Sequence, residues 1–238
     1  GEEASVLCFT DGNTIVPMIS AQDHKRISDG DMGANTGGMG AYAPAPVMTK
    51  ELDKIVYDTI LMPAVKAMKK EGCPFKGCLY AGLMITKDGP KVVEFNCRFG
   101  DPETEAVLPL LESDLAKIML ACTKGTLKKE RVEWKNACAV DIVLASEGYP
   151  ATHSSGEEIV GLEEAKKTGC LVFHAGSMKK KGKYFVNGGR VLNVAAVAPT
   201  LKEAQDKAYE GVSKISWRGM QYRHDIADKG LTRLKKRK

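Results

Sequence analysis

The sequence lacks a long apolar run. None of its uninterrupted apolar stretches approaches the roughly 18 residues that suggest a membrane-spanning helix. Its start, Gly1-Glu2-Glu3, also lacks the basic and then apolar order of a secretory signal peptide. From these absences we expect a cytoplasmic protein with no membrane partner.

The sequence also lacks a Cys-x-x-Cys pair. Its seven cysteines are odd in number and scattered along the chain, at positions 8, 73, 78, 97, 122, 138 and 170. This pattern indicates neither a disulfide framework nor a zinc site. We expect reduced thiols, most of them buried as small hydrophobic side chains.

Most of the chain has no excess of positive charge. The formal net charge of +5 comes from 35 Lys and Arg against 30 Asp and Glu, but residues 229–238 hold six of the cations and no acid. The remaining 29 cations meet 30 anions, so global charge does not indicate a nucleic-acid partner. For the basic tail, a solvated end or a linker is favoured over a role in RNA binding or localisation.

The composition, 43% hydrophobic and 27% charged, is typical of a globular protein with one large or two smaller domains. A hairpin is predicted at 4–9 and 15–19, because two β-rich runs flank a turn containing Gly12 and Asn13. Residues 20–48 then show no periodicity. Loops beyond about 12–15 residues are uncommon and usually functional, so this loop is the first candidate for chemistry.

Helical spacing over 49–72 predicts a helix capped by Thr49 and kinked or broken at Pro63. Two strands are expected at 77–86 and 91–96, and the first is apolar on both faces, as in a covered central strand. A single helical stretch is predicted over 103–122.

A charged segment at 124–135 indicates a domain boundary. The second unit is predicted to be small, α+β and mostly sheet. Its one clear helix opens with Thr200 and Glu203 in the spacing of a capping box. Its strands are expected at 137–145, 170–175, 184–186 and 190–198.

The strongest chemical pattern lies at 92–98. Because alternate side chains on a strand share a face, Glu94, Asn96 and Arg98 should project together. A carboxylate and an amide oxygen side by side are ligands that Mg²⁺ accepts, and the guanidinium can hold an anion next to them. A solvated strand face with a Glu–Arg pair is the alternative. The opposite face is expected to lie in the core: Val93, Phe95 and Cys97.

Two further segments flank this pattern. Asp101-Pro102-Glu103 suits a helix start, with Asp as N-cap and Pro in the first turn. The glycine-rich loop at 33–42 can direct backbone N–H groups at an anion, with Asn35 and Thr36 as further donors and Lys25 and Arg26 as cations. A flexible turn and solvated charges are the alternative.

These segments resemble the phosphoribosylamine–glycine ligase family, also called glycinamide ribonucleotide synthetases. The resemblance extends from Gly1 to about residue 228, and the run Arg-Phe-Gly-Asp-Pro-Glu at 98–103 is its most specific part. It is carried by the residues at 22–26, 35–46, 79–84, 94–103, 148–150, 173–176, 187–192 and 222–226.

The resemblance implies an ATP-grasp carbon–nitrogen ligase of purine biosynthesis. Such an enzyme joins glycine to 5-phosphoribosylamine through a glycyl phosphate, with ATP as cofactor and Mg²⁺ or Mn²⁺ as metal. It implies Glu94 and Asn96 as metal ligands, Glu3 and Lys25 as ATP-binding residues, and Arg98 as a catalytic residue that holds the acyl phosphate. The implied substrate-binding residues are Asn35, Thr36, Gly37, Gly38, Met39, Gly40, Asp101 and Arg190. For Arg190, an exposed residue after a hairpin turn is an equal alternative.

The implied organisation is α+β. It consists of the C-terminal part of an ATP-grasp domain at 1–125, a linker at 126–135, a small mostly β domain at 136–228 and a basic tail at 229–238. The family's N-terminal half would precede Gly1, and fusion to other purine-pathway domains is expected. Glu105 departs from the Gln or Met usual in the family. The chain alone is expected to be inactive, and a non-catalytic remnant that binds a metal or a phosphorylated metabolite is the alternative.

Overall fold

The computed structural model describes residues 1–236, so Arg237 and Lys238 of the predicted basic tail lie outside the described residues. Within 1–236 the strands are β1 Glu2–Thr10, β2 Ile15–Pro17, β3 Gln22–Asp23, β4 Arg26–Ser28, β5 Met32–Asn35, β6 Gly40–Ala43, β7 Gly77–Thr86, β8 Gly89–Asn96, β9 Cys138–Ala145, β10 Ser155–Ile159, β11 Leu171–His174, β12 Ser177–Lys180, β13 Lys183–Asn187 and β14 Arg190–Ala198. The α-helices are α1 Lys50–Val56, α2 Met62–Lys70, α3 Glu103–Val107, α4 Leu115–Lys124, α5 Leu162–Lys167, α6 Leu201–Val212 and α7 Asp228–Lys236.

The chain folds into two compact units, and neither is continuous in sequence. Unit 1 consists of Gly1–Gln22, Pro44–Gly100 and Leu110–Asn136. Unit 2 consists of Asp23–Ala43, Asp101–Pro109 and Ala137–Lys238. The chain passes into unit 2 for the last time after Asn136, next to the predicted linker at 126–135. Two short segments of the predicted first domain, residues 23–43 and 101–109, belong to unit 2.

Unit 1 is built on an antiparallel sheet in the order β2-β1-β7-β8. The predicted hairpin is confirmed, and its turn is fixed because the carboxylate of Asp11 accepts hydrogen bonds from the N–H groups of Asn13, Thr14 and Leu127. Strand β7 is central and buried over most of its length, as its apolar pattern predicted. Its core joins β1 and β7 to the helical layer through Val6, Leu83, Val56, Leu61 and Val65.

The helix predicted over 49–72 exists but is not uniform. Thr49 accepts a hydrogen bond from the N–H of Leu52, which confirms the predicted cap. A π-helical segment, Tyr57–Leu61, separates α1 from α2, and Pro63 lies in the first turn of α2. The predicted irregularity at Pro63 is therefore a widened turn just before the proline, which has no N–H to continue the α-helical ladder.

The prediction for strand β8 was wrong about its inner face. Val93 is 64% exposed and Phe95 is 45% exposed, and Cys97 is also exposed. The reason is position in the sheet. Strand β8 lies at the edge, whereas the buried side chains of the helical layer pack against β1 and β7.

The helix predicted over 103–122 was also wrong as a single element. Helix α3 ends at Val107, and a new helix, α4, begins after Asp114, whose side chain accepts from the N–H of Lys117. The predicted cap at Asp101 is absent, because Pro102 occupies the N-cap position of α3 without a side-chain cap. Helix α3 belongs to unit 2, whereas α4 belongs to unit 1.

Unit 2 contains a five-stranded sheet in the order β11-β14-β9-β6-β3, a three-stranded sheet β10-β13-β12 and the hairpin β4-β5. Helix α6 packs on β9 and β14 and has the predicted capping box of Thr200 and Glu203. Four strands were predicted closely, while β10, β12, α5 and α7 were missed. The prediction of a loop over 20–48 was also wrong, because this segment contains β3 to β6, which pair with other strands. The principal core residues are Val140, Ile142, Leu144, Val194, Ala196, Ala204, Ala208 and Val212.

The basic tail is more ordered than the sequence indicated. Residues 228–236 form α7, which packs beside α6. Gly230 is buried so closely that an added Cβ would lie 2.7 Å from the ring of Tyr42 and 2.9 Å from Leu201. No helix within residues 1–236 is both long and apolar enough to cross a membrane.

All seven cysteines are free thiols, as predicted, and Cys8, Cys78, Cys122 and Cys170 are buried. Burial raises the pKa of Cys8 and of Cys78 to about 12. These thiols are therefore protonated and unreactive at neutral pH.

Candidate functional site

The candidate metal ligands lie side by side on the exposed edge strand of unit 1. Asn96 donates from Nδ2 to Oε1 of Glu94 at 2.9 Å. This bond orients the amide so that Oδ1 of Asn96 and the second carboxylate oxygen of Glu94 remain as hard oxygen donors. Glu94 is exposed and Asn96 is half-buried, so both can reach a ligand on this strand face.

Arg98 follows the end of β8 and is exposed. Its Nη1 donates to the carbonyl of the next residue, Phe99, at 2.9 Å, and within residues 1–236 it forms no ion pair. The alternative of a Glu–Arg pair on a solvated strand face is therefore not observed. The guanidinium keeps donors for an anion.

Glu3 lies apart from these residues within unit 1. It stands on β1 opposite Met84 of β7, whereas Glu94 stands on β8 opposite Gly82 of β7. Two strand spacings, about 10 Å in total, separate β1 from β8. The structure therefore does not bring Glu3 to the Glu94–Asn96 pair.

In unit 2, Arg190 connects the glycine loop to the segment that starts α3. Its Nη1 lies 3.0 Å from the carbonyl of Gly37 and 2.9 Å from both the carbonyl and a carboxylate oxygen of Asp101. The structure thus brings together Arg190, Asp101 and the loop, all predicted substrate-binding residues. The Nε and Nη2 groups of Arg190 have no hydrogen-bond partner within the described chain, 1–236, so they remain available.

The backbone N–H groups of the loop do not converge on an open anion site. The N–H of Thr36 donates to the carbonyl of Lys25, that of Gly37 to the hydroxyl of Tyr149, that of Gly38 to Oγ1 of Thr36 and that of Met39 to the carbonyl of His24. The prediction of a backbone nest was therefore wrong, because these donors already have partners in the protein.

A glycine of this loop allows close packing of the backbone against neighbouring side chains. Gly38 has φ 118°, and an added Cβ would lie 2.7 Å from the carboxylate of Asp23 and would also clash with Pro102. Met39 is fully buried, so its side chain is a core residue and not a contact for substrate. Asn35, in contrast, is exposed at the end of β5, and its side-chain amide can meet a ligand.

Lys25 faces a buried carboxylate. Its Nζ lies 2.5 Å from Oδ2 of Asp23, which is 7% exposed. Burial, together with the charge of Glu103, raises the pKa of Asp23 to about 7, while Lys25 opposes this rise. The carboxylate of Asp23 thus partly neutralises the charge of Lys25, which was expected to bind an anion of ATP.

Glu105, the departure from the family, is half-buried on α3. Burial, then the nearby charge of Asp101, raises its pKa to about 7. Asp141 of β9 is fully buried, accepts a hydrogen bond from Nδ2 of Asn193 at 2.9 Å and has a pKa raised well above its ordinary value by burial and then by Glu105.

Sequence reasoning assigned no role to Tyr149. Its hydroxyl accepts the N–H of Gly37 at 3.0 Å, and its ring packs so near Gly189 that an added Cβ there would lie 2.9 Å from Cε2. The Gly-Tyr-Pro run at 148–150 is the only sequence signal for this residue, and it does not show which residue Tyr149 contacts.

Within residues 1–236 no group of three or more His, Cys, Asp or Glu side chains could hold a metal ion.

Comparison with known proteins identifies two domains. The chain matches the family models described as the ATP-grasp (A) domain of phosphoribosylglycinamide synthetase, over residues 1–104, and as its C domain, over residues 139–229. The interval between the two matches contains the predicted linker at 126–135.

Relatives of known name match nearly the whole chain. It is 53% identical to the trifunctional purine biosynthetic protein adenosine-3 of Gallus gallus, over 98% of this chain and 23% of that protein. It is 50% identical to the chloroplastic phosphoribosylamine–glycine ligase of Arabidopsis thaliana, over 97% of this chain and 44% of that protein.

A solved structure agrees with the fold. The crystal structure of phosphoribosylamine–glycine ligase from Thermotoga maritima superposes with a TM-score of 0.86 at 38% identity, covering 95% of this chain and 56% of that chain. The chain therefore spans about half the length of the single ligases that it resembles. The chain belongs to the phosphoribosylglycinamide synthetase, or phosphoribosylamine–glycine ligase, family, and it carries ATP-grasp (A) and C domain sequence of that family.

Proposed function

We propose that the protein carrying this chain ligates glycine to 5-phosphoribosylamine, forming glycinamide ribonucleotide, ADP and phosphate in purine (IMP) biosynthesis. The structural observation that supports this most is the oriented Glu94–Asn96 pair, exposed on β8 within the range matched by the ATP-grasp domain. ATP use follows from the ATP-grasp family, and the two substrates follow from the names of the relatives.

The reaction has two steps. A carboxylate oxygen of glycine attacks the γ-phosphorus of ATP, the bond to the β,γ-bridging oxygen breaks, and glycyl phosphate and ADP form. The amine of phosphoribosylamine then attacks the acyl carbon, phosphate leaves, and the amine loses one proton. Arg98 carries a guanidinium with unused donors, which suits it to hold the phosphoryl group during transfer.

Glu94 and Asn96 fit a divalent metal. Mg²⁺ is commonly held by one or two protein oxygen ligands and completed by water and substrate phosphates, so two ligands suffice where a third protein ligand is absent. When bound, Mg²⁺ or Mn²⁺ neutralises negative charge on the phosphate oxygens. The orienting bond between the two side chains is consistent with this donor set.

We assign the binding of substrate anions to residues of unit 2. Arg190 offers Nε and Nη2 as a pair of donors, the geometry that recognises a phosphate or a carboxylate. Asn35 adds an exposed amide at the same loop, and Asp101 fixes Arg190 rather than binding substrate itself. Lys25 and Glu3 remain proposed ATP contacts.

Cytoplasmic location remains part of the proposal, and the Arabidopsis relative is named as chloroplastic. Fusion to further purine-pathway domains is supported by the trifunctional name of the Gallus relative. Neither nucleic acid nor membrane is proposed as a partner.

The proposal is tested with the natural protein that carries this chain. Purified protein is given ATP, Mg²⁺, glycine and phosphoribosylamine, and release of ADP and formation of glycinamide ribonucleotide are measured. Release of ADP that depends on both substrates supports the proposal. Binding of metal or of a phosphorylated metabolite without turnover refutes it and supports the alternative of a non-catalytic binding protein.

A further inference from the structure

Arg223 is the largest fully buried side chain in the described part of the chain. Its guanidinium donates hydrogen bonds to acceptors from two segments of unit 2. Nε and Nη2 donate to the two carboxylate oxygens of Asp225 at 2.7 and 2.6 Å. Nη1 donates to the carboxylate of Asp31 at 3.0 Å and to the carbonyl of Arg26 at 3.1 Å.

Further bonds join the same two segments. The N–H of Gly30 donates to Asp225 at 2.8 Å. The N–H of His224 donates to Asp29 at 2.7 Å, and Lys229 forms an ion pair with Asp31. The β4–β5 hairpin is thus fastened at its turn, residues 29–31, to residues 223–229. We call this set of contacts the Arg223 clasp.

The clasp contains two cations, Arg223 and Lys229, and the carboxylates of Asp29, Asp31 and Asp225. The cations face the carboxylates of Asp31 and Asp225. Although burial opposes it, hydrogen bonds from Lys229 and then Arg223 lower the pKa of Asp31, and the hydrogen bond from Arg223 lowers the pKa of Asp225. His24 lies beside these groups and stays neutral, because burial and the charges of Arg223 and Lys229 lower its pKa to about 3. The carboxyls of Asp31 and Asp225 are therefore ionised at neutral pH.

The clasp acts on the strand that leads into the glycine loop. The carbonyl held by Arg223 belongs to Arg26, and Arg26 is the register partner of Asn35. Arg26 also donates from Nη1 to the carbonyl of Gly33 at 2.7 Å. A shift of β4 would therefore move Asn35 directly.

We propose that Arg223 is a positioning residue, which through β4 and β5 fixes Asn35 and the loop up to Gly40 for binding of the phosphorylated substrate. This inference rests on the proposed function, because that function gives the loop its ligand. A residue that serves stability alone would have no such effect on affinity in the folded protein.

The test uses the natural protein and glycinamide ribonucleotide as the probe, with the variants Arg223→Lys and Asp31→Asn. Lysine keeps the charge but cannot form the two-pronged contact with Asp225. Dissociation constants are measured by calorimetry at a temperature where every variant is folded. The first control is Arg218→Lys, because the Arg218 side chain is 85% exposed. The second control is Val212→Ala, which weakens the core of α6 in the same unit.

We expect about a tenfold or greater weakening for Arg223→Lys and Asp31→Asn, equal to a change of about 1.4 kcal/mol or more, with both controls near the parent value. Unchanged affinity in both clasp variants, or an equal loss in Val212→Ala, would overturn the inference. If Arg223→Lys does not fold, Asp31→Asn decides alone, since Asp31 is one-third exposed.

Hydrogen exchange separates this inference from the proposed function. If the parent protein does not bind glycinamide ribonucleotide, the proposed function fails, and exchange over residues 26–40 still tests the clasp. Faster exchange of this segment in Asp31→Asn, with α6 unchanged, supports positioning. Unchanged exchange over 26–40 contradicts it.

Discussion

One nitrogen of Arg190, Nη1, contacts both the carboxylate and the carbonyl of Asp101, each at 2.9 Å. The same nitrogen reaches the carbonyl of Gly37 at 3.0 Å. Nη1 of Arg190 is therefore fixed by the protein, while Nε and Nη2 have no hydrogen-bond partner within residues 1–236. A side chain held in this way can bind an anion with little further loss of conformational freedom.

Substitution Arg190→Lys should weaken binding of glycinamide ribonucleotide by about 10- to 100-fold, or about 1.4–2.8 kcal/mol. Lysine retains the charge but cannot hold Asp101 and Gly37 while presenting a second pair of donors. Calorimetric titration of the natural protein measures the change. Arg218→Lys, at an exposed site of the same unit, is the control. An affinity within twofold of the parent would contradict this assignment.

Substitution Glu94→Gln should lower kcat by about 100-fold or more, in the range seen when a group that stabilises transition-state charge is removed. The fold should persist, because Glu94 is exposed and its hydrogen-bond partner is the neighbouring Asn96. Initial rates at several Mn²⁺ concentrations provide the measurement, and the metal concentration for half-maximal rate should rise.

Glu71→Gln is the matched control for the metal site, since Glu71 is an exposed carboxylate in the same unit. Its rates should equal those of the parent. Normal activity of Glu94→Gln at low metal concentration would refute the assignment of Glu94 as a ligand.

Local sequence signals predicted the parts of the fold that depend on neighbouring residues. The capping box of Thr200 and Glu203 and the buried strand β7 are such cases. The burial of Val93 was mispredicted because alternation identifies two faces of a strand but not which elements cover them. Short polar elements such as β10 and β12 have too few apolar residues to give a period.

The candidate site shows the same division. Adjacency of Glu94 and Asn96 follows from strand geometry alone and is confirmed. The hydrogen bond from the Gly37 N–H to the hydroxyl of Tyr149 could not be predicted, because the two residues are 112 positions apart in sequence. The Arg223 clasp likewise joins residues separated by nearly the whole chain. Such pairs depend on tertiary packing, which periodicity does not encode.

Substitution Thr200→Ala should reduce the free energy of unfolding by about 1 kcal/mol, a typical value for loss of an N-cap. The side chain of Thr200 accepts the N–H of Glu203, and the Glu203 carboxylate accepts the N–H of Thr200. Thr200→Ser keeps the acceptor and should remain within a few tenths of the parent value. Urea unfolding measures both. Equal losses for Ala and Ser would show that the methyl group, not the cap, is responsible.

Substitution Glu105→Gln should stabilise the protein at pH 8 and leave its stability at pH 4 nearly unchanged. The pKa of Glu105 is about 7 in the folded protein, raised by burial and then by Asp101, whereas an unfolded glutamate titrates near 4.3. Between these values the folded state binds more protons than the unfolded state, so the stability of the parent falls as pH rises, and the loss is complete above pH 7. Glutamine cannot ionise and removes this loss.

Because Glu105 is partly exposed, solvent reduces the effect, and we expect about 1 kcal/mol at pH 8, or an increase in Tm of about 2–4 °C. Thermal unfolding from pH 4 to 8 provides the measurement, with Glu112→Gln as the control because Glu112 is an exposed carboxylate of unit 1. Neutralisation of Glu105 also removes a charge that raises the pKa of Asp141, so the remaining pH dependence should shift to lower pH. If the Tm of the parent and that of Glu105→Gln change in parallel from pH 4 to 8, Glu105 is ionised at little cost in the folded protein, and the prediction is wrong.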